Sequence, residues 1–257
     1  MRSRYYVPQS DIKWAVEYIC LQESNQPAEV LQFPSLQAEI TFNLGSRFAL
    51  SNSANEVFWY PKYGAVNGIN TCPVKKHWEA DLTSLSVKFK PWGLFQLFGW
   101  DARLFSKKVV AAPLHFQNSP FKSLKDSFLN EQKIEKKVFA IEKFLLKSAR
   151  IQTIPKDIFS FIDEIEEETS IKVYLKRKRI AHTSFNRRFK KVMGIGVKKF
   201  LSIKRIQNTM RDIQKNDLKS LTEIAYHHGF YDQAHFIKSF STFTGMTPLQ
   251  FKKRMFS

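Results

Sequence analysis

The chain has 257 residues, with 41 Lys and Arg against 23 Asp and Glu and a formal net charge of +18 at pH 7. That length accommodates two domains, and the charge is far too positive for a typical cytosolic enzyme. Residues 169–257 hold 20 Lys and Arg but 4 Asp and Glu, whereas residues 1–168 hold 21 and 19. The excess therefore points to a polyanionic partner for the C-terminal part, nucleic acid in preference to an anionic membrane surface.

No segment approaches the ~18 uninterrupted apolar residues that would span a bilayer. The opening Met1-Arg-Ser-Arg-Tyr-Tyr6 is basic, but Asp11, Lys13 and Glu17 break up the next stretch, so there is no signal-peptide core and the chain is expected to be cytoplasmic. Cys20 and Cys72 stand alone, with no Cys/His spacing, which predicts buried thiols, neither a disulfide framework nor a structural zinc, and no cofactor.

The first ~115 residues read as β-rich. Leu36 to Leu44 alternates apolar and polar residues and stops at Gly45, the period of a half-buried strand; Leu85, Val87 and Phe89 repeat it before Pro91. Glu56 to Tyr60 is a short aromatic strand closed by Pro61, and Asn67-Gly68 is a hairpin-turn dipeptide. Short strands with frequent turns predict an antiparallel, cupin-like sandwich or barrel. The period then changes: Pro91 to Gly99 reads as a short helix stopped by glycine, and residues 120–150 carry the spacing of an amphipathic helix at Ile134, Val138, Ile141 and Leu145.

A domain boundary is expected near Ile151 to Pro155, dividing a regulatory part, 1–150, from a DNA-binding part, 151–257. Pro155 suits the first position of a helix whose apolar stripe is Ile158, Phe161, Ile162 and Ile165. The acidic run Asp163 to Glu168 reads as a solvated helix face in preference to a divalent-metal site; shielding of the basic surface when DNA is absent is a third reading. A short helix from Ile171 leads into the basic turn Lys176-Arg177-Lys178-Arg179, then a helix from His182 to about Lys191, then a longer one from Lys198 to Gln214. Ser220-Leu-Thr-Glu223 has capping-box spacing, and Asp232 is placed to cap a helix running to about Thr242.

This region is a degenerate repeat. A shift of 51 residues carries Phe185, Phe189, Gly194 and Phe200 onto Phe236, Phe240, Gly245 and Phe251. Each copy has a short helix, a tight turn, and a second helix with an i,i+4 aromatic spine and a polar face, which is helix-turn-helix architecture. The second helix of such a unit lies in the major groove, with side chains of its N-terminal half at base edges. The Phe pairs face the preceding helix and are core.

Gly229-Phe-Tyr-Asp-Gln-Ala-His-Phe236, Lys238-Ser-Phe240 and Gly245-Met-Thr-Pro248 with Phe251 resemble the C-terminal signature of the AraC family of bacterial transcription regulators. Phe42-Asn-Leu-Gly45 and Val87-Lys-Phe-Lys-Pro-Trp-Gly93 with Leu97-Phe-Gly99 are similar to a β-rich sensor domain found in some members. The resemblance implies an α+β multidomain chain ending in an all-α domain of two helix-turn-helix subdomains joined by a linker helix. It puts His182, Thr183, Asn186 and Arg187 toward bases, with Arg188, Lys190 and Lys191 nearer phosphates. In the second copy it puts Gln233, Ala234 and His235 at the groove, with Lys238 reaching a base or phosphate. His235 has packing or capping as an equal alternative. The turn cations Lys176, Arg177, Lys178 and Arg179 are expected at phosphates. The first copy departs from the pattern: Lys178-Arg179 stand where the family has a glycine turn, Ala181 replaces the cap, and Gly194-Ile-Gly-Val197 lacks the proline.

The N-terminal part holds isolated His77 and His115 and no catalytic motif, so the chain is not expected to be an enzyme. A β-rich cavity lined by Trp59, Tyr60 and Trp78 is expected to accept a small effector, or this part mediates pairing. The expected partners are promoter DNA, a small-molecule effector and RNA polymerase, with the chain a monomer or homodimer. A nonspecific architectural DNA binder and a nucleic-acid-modifying enzyme with a helical targeting module are the rival readings.

Overall fold

A computed structural model describes residues 1–9, 11–61, 64–106, 108–112, 116, 119–165, 170–215 and 220–255. The strands are β1 (Arg2–Tyr6), β2 (Val16–Ser24), β3 (Ala28–Gln32), β4 (Ala38–Asn43), β5 (Phe48–Asn52), β6 (Val57–Trp59), β7 (Ala65–Asn67), β8 (Val74–Trp78), β9 (Leu82–Phe89) and β10 (Val109–Ala111). They pair antiparallel in two sheets, ordered β1-β2-β9-β4-β7-β10 and β3-β8-β5-β6. The N-terminal part is thus the expected antiparallel β sandwich.

Alternation decides which face of the larger sheet meets which layer. Ile40 and Phe42 of β4 and Leu85, Val87 and Phe89 of β9 pack in one apolar cluster with helices α1 (Gly93–Phe98), α2 (Ser119–Asn130) and α3 (Ile134–Ser148). The intervening residues of these strands are also buried, which corrects the half-buried reading of 36–44. Glu39, Thr41, Ser84 and Ser86 are buried polar groups, and Thr41 and Ser86 hydroxyls lie 2.8 Å apart. The two antiparallel sheets bury both faces, so the sequence period marked the apolar face but not the wetness of the other.

That polar layer is paired. Glu39 forms an ion pair with Lys88 and accepts hydrogen bonds from Asn67 and Tyr60. Burial opposes ionisation of Glu39, but the Lys88 ammonium beside it wins and holds the carboxyl below its usual range. Burial and the Glu39 charge together push the Tyr60 hydroxyl well up, keeping it protonated. Lys76 donates to Gln22 Oε1 at 2.8 Å, and its burial brings the amine down to about 8.

The Asn67-Gly68 hairpin expectation is corrected. Asn67 ends β7, which pairs with both β4 and β10. Gly68 passes so close to the 3-10 turn Ala102–Phe105 that a Cβ there would stand 2.8 Å from the Phe105 carbonyl oxygen. The dipeptide therefore serves a buried amide and a close backbone approach, with no two-residue turn. The expected helical part over 120–150 consists of two helices, separated where the Glu131 side chain accepts from the Lys133 amide at 2.9 Å. The glycine stop at Gly99 is as expected, in the left-handed region with φ of 70°.

Among the described residues seven helices follow: α4 (Lys156–Glu164), α5 (Ile171–Arg177), α6 (His182–Met193), α7 (Val197–Lys215), α8 (Leu221–His227), α9 (Gln233–Thr244) and α10 (Pro248–Met255). Pro155 is the N-cap residue of α4, one position before the first helical residue where it was expected. The acidic run is helical only to Glu164, and residues 166–168 lie outside the described residues, as does His115. One apolar cluster runs through α4 to α10 and takes in Ile69 and Phe95 from the N-terminal part. Among the described residues no helix is long and apolar enough to cross a membrane.

Candidate nucleic-acid interface

The two helix pairs, α5 with α6 and α8 with α9, are built on aromatic spines. Phe185 and Phe189 both pack edge-on to Phe161 of α4, at 5.3 and 5.8 Å between ring centres, and Phe189 meets Phe200 of α7. In the second unit Phe236 contacts Phe230 and Phe240, and Phe240 contacts Phe251 of α10. All five spine rings from Phe185, Phe189, Phe236, Phe240 and Phe251 are fully buried, which leaves the opposite helix faces to solvent.

Both turns close in the same way. After α8 the amide of Phe230 donates to Ala225 O and that of Gly229 to Tyr226 O; after α5 Ile180 donates to Leu175 O and Arg179 to Lys176 O. This is the Schellman pattern, which needs one residue at positive φ. Gly229 supplies it with φ of 66°, and in the first unit Arg179 adopts φ of 56°. A side chain in that region costs about 1 kcal/mol, so the first turn keeps its geometry at the expense of strain and gains a cation.

The caps differ as expected. Ser220 and Glu223 form the complete capping box of α8, and the Asp232 carboxylate accepts from the His235 amide at the start of α9. Ala181 offers no side-chain cap to α6. The missing proline is also compensated. Thr247 Oγ1 accepts from the Gln250 amide beside Pro248 in the second unit, while in the first the Asn186 side chain accepts from the Val197 amide at 3.2 Å and so caps α7.

The solvent faces of α6 and α9 have definite occupants. His182, Thr183, Arg187, Lys190 and Lys191 are exposed on α6, and Gln233, Ala234, His235 and Lys238 are exposed on α9. Asn186 is half-buried and engaged in the α7 cap, and Arg188 pairs with Asp157 of α4 and donates to Ser184. His235 stacks edgewise near Phe230 and accepts from the Tyr231 amide at 3.4 Å, so its ring helps to pack the turn. Lys176, Arg177, Lys178 and Arg179 are exposed, but Glu164 pairs with Arg177 and Lys178 at 3.2 and 2.8 Å. Glu164 belongs to the acidic run for which shielding of the basic surface was one reading, whereas Asp157 was not singled out in the sequence; its seven-residue spacing from Glu164 on one helix flank was the available signal. Arg205 of α7, which donates to Gly229 O at 3.3 Å and lies over Phe230, gave no local sign at all.

A family model described as a helix-turn-helix domain matches residues 169–254. The C-terminal region is an AraC-type helix-turn-helix domain. An uncharacterised HTH-type transcriptional regulator of Staphylococcus aureus strain MSSA476 is 31% identical over 72 residues, and one from strain MRSA252 is equally similar. The match takes in 28% of this chain and 10% of each relative, so the chain spans about a tenth of the length of these curated relatives. Among solved structures, ToxT from Vibrio cholerae is similar at 9% identity with a TM-score of 0.47, over 93% of this chain and 97% of that one. A ToxT structure described as bound by an unsaturated fatty acid is similar at 11% identity with a TM-score of 0.44, over 91% of this chain and 94% of that one.

The segment between α3 and α4 is tied to α1, and the helix-turn-helix domain meets the N-terminal part through Phe251. Arg150 and Gln152 amides donate to Leu97 and Gln96 carbonyls of α1, and Phe33 stacks edge-on to Phe251. A cavity of about 650 Å³ lies between the β4–β5 turn, α2 and α3. Trp59 and Tyr60 line it, with Phe42, Leu44, Phe121, Leu124 and Phe128 and the cationic Arg47, Lys125 and Lys137. Trp78 is corrected: it is buried in the small cluster with Phe48 and Leu82, and its indole donates to Gln26 O at 2.8 Å.

Proposed function

We propose that this chain is a sequence-specific DNA-binding transcription regulator that sets α6 and α9 in successive major-groove segments. The observation that carries the reading is the pair of exposed N-terminal helix faces, one with His182, Thr183 and Arg187 and the other with Gln233, Ala234 and Lys238, on a region of net charge +16. Helix α7 has 19 residues, about 28 Å at 1.5 Å per residue, comparable with the ~34 Å between groove segments one turn apart. Arg187 is assigned to base edges and Lys190, Lys191 and the turn cations to phosphates. Asn186, which caps α7, is assigned a supporting role.

The cavity in the sandwich is assigned to an effector. Its lining is chiefly aromatic and aliphatic and includes the cations Arg47, Lys125 and Lys137, which suits an apolar molecule carrying one carboxylate.

Selection of bound fragments from a genomic library with the full-length chain tests the first part. Recovery of a bipartite motif, with cognate affinity ~10³ or more above that for random duplex, is the expected result. Equal displacement by any competitor DNA would establish the architectural reading instead, and turnover of nucleic acid the enzymatic one. For the effector, titration with oleate should quench Trp59 fluorescence and change cognate DNA affinity, and Lys137→Ala should weaken both responses.

A further inference from the structure

At the end of α8, two adjacent histidines meet an aspartate from the last turn of α7. Asp212, His227 and His228 each offer a donor atom, and these atoms lie within 4.8 Å of one another. His228 is buried, with Nε2 at 3.0 Å from Asp212 Oδ2. Lys215 occupies the other carboxylate oxygen, Oδ1, at 3.3 Å. The exposed His227 ring stands 5.1 Å from the His228 ring at 72° between planes.

We infer that these three residues form a site for a zinc-type divalent transition-metal ion, clamping α7 to α8 beside the turn that leads into the second recognition helix. Two imidazoles and one carboxylate are a ligand set for such an ion, with a fourth position left to water, whereas calcium and magnesium demand oxygen. Bonds of ~2.0–2.2 Å in a tetrahedron place donors ~3.4 Å apart. The His228–Asp212 pair already has nearly that spacing, and rotation of the solvent-exposed His227 side chain closes the remainder. On ligation His228 binds through Nε2 as the neutral ring with its proton on Nδ1, any further proton passing to solvent; the ion replaces the Nε2–Asp212 contact, and Lys215 stays on Oδ1 to orient the carboxylate. The carbonyl end of α8, which terminates at His227, further favours a cation. Asp212 lies apart in the chain from the two adjacent histidines and no Cys/His spacing marks the set, so the site exists only through the packing of α7 on α8.

The test uses the full-length chain, stripped with chelator and titrated with Zn²⁺ against a chromophoric competitor, and with Co²⁺ followed by visible absorption. The wild type should bind one ion per chain, develop a Co²⁺ d–d band and rise in Tm on Zn²⁺ loading. His227→Ala removes an exposed ligand without touching the core; it should weaken Zn²⁺ binding at least tenfold and abolish the Tm rise. His228→Asn should do the same, and His77→Ala, in the β sandwich, should leave binding unchanged. Wild-type-like binding by His227→Ala, loss of binding in His77→Ala, or no stoichiometric site in the wild type would each overturn the assignment.

Discussion

The Ser106 hydroxyl donates a 2.6 Å hydrogen bond to the carbonyl of Gly194, the residue that ends α6. Gly194 has φ of 78°, and a Cβ on it would stand 2.8 Å from the Ala102 carbonyl oxygen of the 3-10 turn. The sandwich thus holds α6 by its C-terminal end, through a backbone contact that only glycine permits.

Gly194→Ala should therefore cost more than the equivalent change in the other repeat. Gly245 also has positive φ, at 74°, but a Cβ there meets only Pro73 Cγ at 3.6 Å. Backbone strain alone is about 1 kcal/mol, so urea unfolding should show about 1 kcal/mol lost for Gly245→Ala and about 2 or more for Gly194→Ala. Equal losses would show that the contact with the 3-10 turn yields freely.

Arg187 is exposed and makes no hydrogen bond or ion pair among the described residues. Arg187→Ala should cost about 1 to 3 kcal/mol of cognate DNA binding and relax preference at one base pair, whereas Lys190→Ala should weaken all sequences alike. Anisotropy titrations on cognate and random duplexes distinguish the two, and equal losses on both for Arg187→Ala would sink its base contact.

Asp157 and Glu164 neutralise Arg188, Arg177 and Lys178 from the flank of α4. Glu164→Gln frees two cations, so affinity for random duplex should rise severalfold and the salt dependence should steepen by about 1 to 2 in log–log slope. An unchanged slope would place the α5–α6 turn away from the DNA backbone.

Ala181 sits at an N-cap with φ of −67° and ψ of 124°, backbone angles a capping side chain accepts. Ala181→Ser should stabilise the protein by about 0.5 to 2 kcal/mol, and Asp232→Ala, which removes a working cap from α9, should destabilise it by a similar amount. Thermal or urea unfolding reads both, and no gain for Ala181→Ser would mean that the first turn holds the α6 amides away from the hydroxyl.

Burial, chiefly, lowers Lys76 from the ordinary 10.5 to about 8. Below pH 8 the ammonium is charged in folded and unfolded chains alike, and its desolvation weakens the fold in full. Between 8 and 10.5 the unfolded chain holds a proton that the folded chain has released, so stability due to Lys76 rises with pH and levels above that window. The unfolding free energy of the wild type relative to Lys76→Met should therefore improve by about 2 kcal/mol from pH 7 to 9.5. A pH-independent difference would mean that the amine stays solvated.

Local signals made the helix-turn-helix repeat legible. The Phe185/Phe189 and Phe236/Phe240 pairs, the Ser220–Glu223 box, the Asp232 cap and the stop at Gly245 all act within one or two helical turns, so their spacing in the chain is their spacing in space. The sandwich was legible only as alternation, because period two marks which residues share a face and not what covers that face.

The sequence by itself determined the helical repeat, its uneven charge and the capping asymmetry between its two copies. Only the tertiary structure decided that Asn186 caps α7, that Asp157 holds Arg188, that Trp78 is core while Trp59 borders the cavity, and that Asp212 reaches His228. The physical reason is the range of the interactions. A cap or an i,i+4 contact is closed by neighbouring residues, whereas an ion pair between helices or a donor set across a packed core depends on how distant elements dock, which no short stretch of chain encodes.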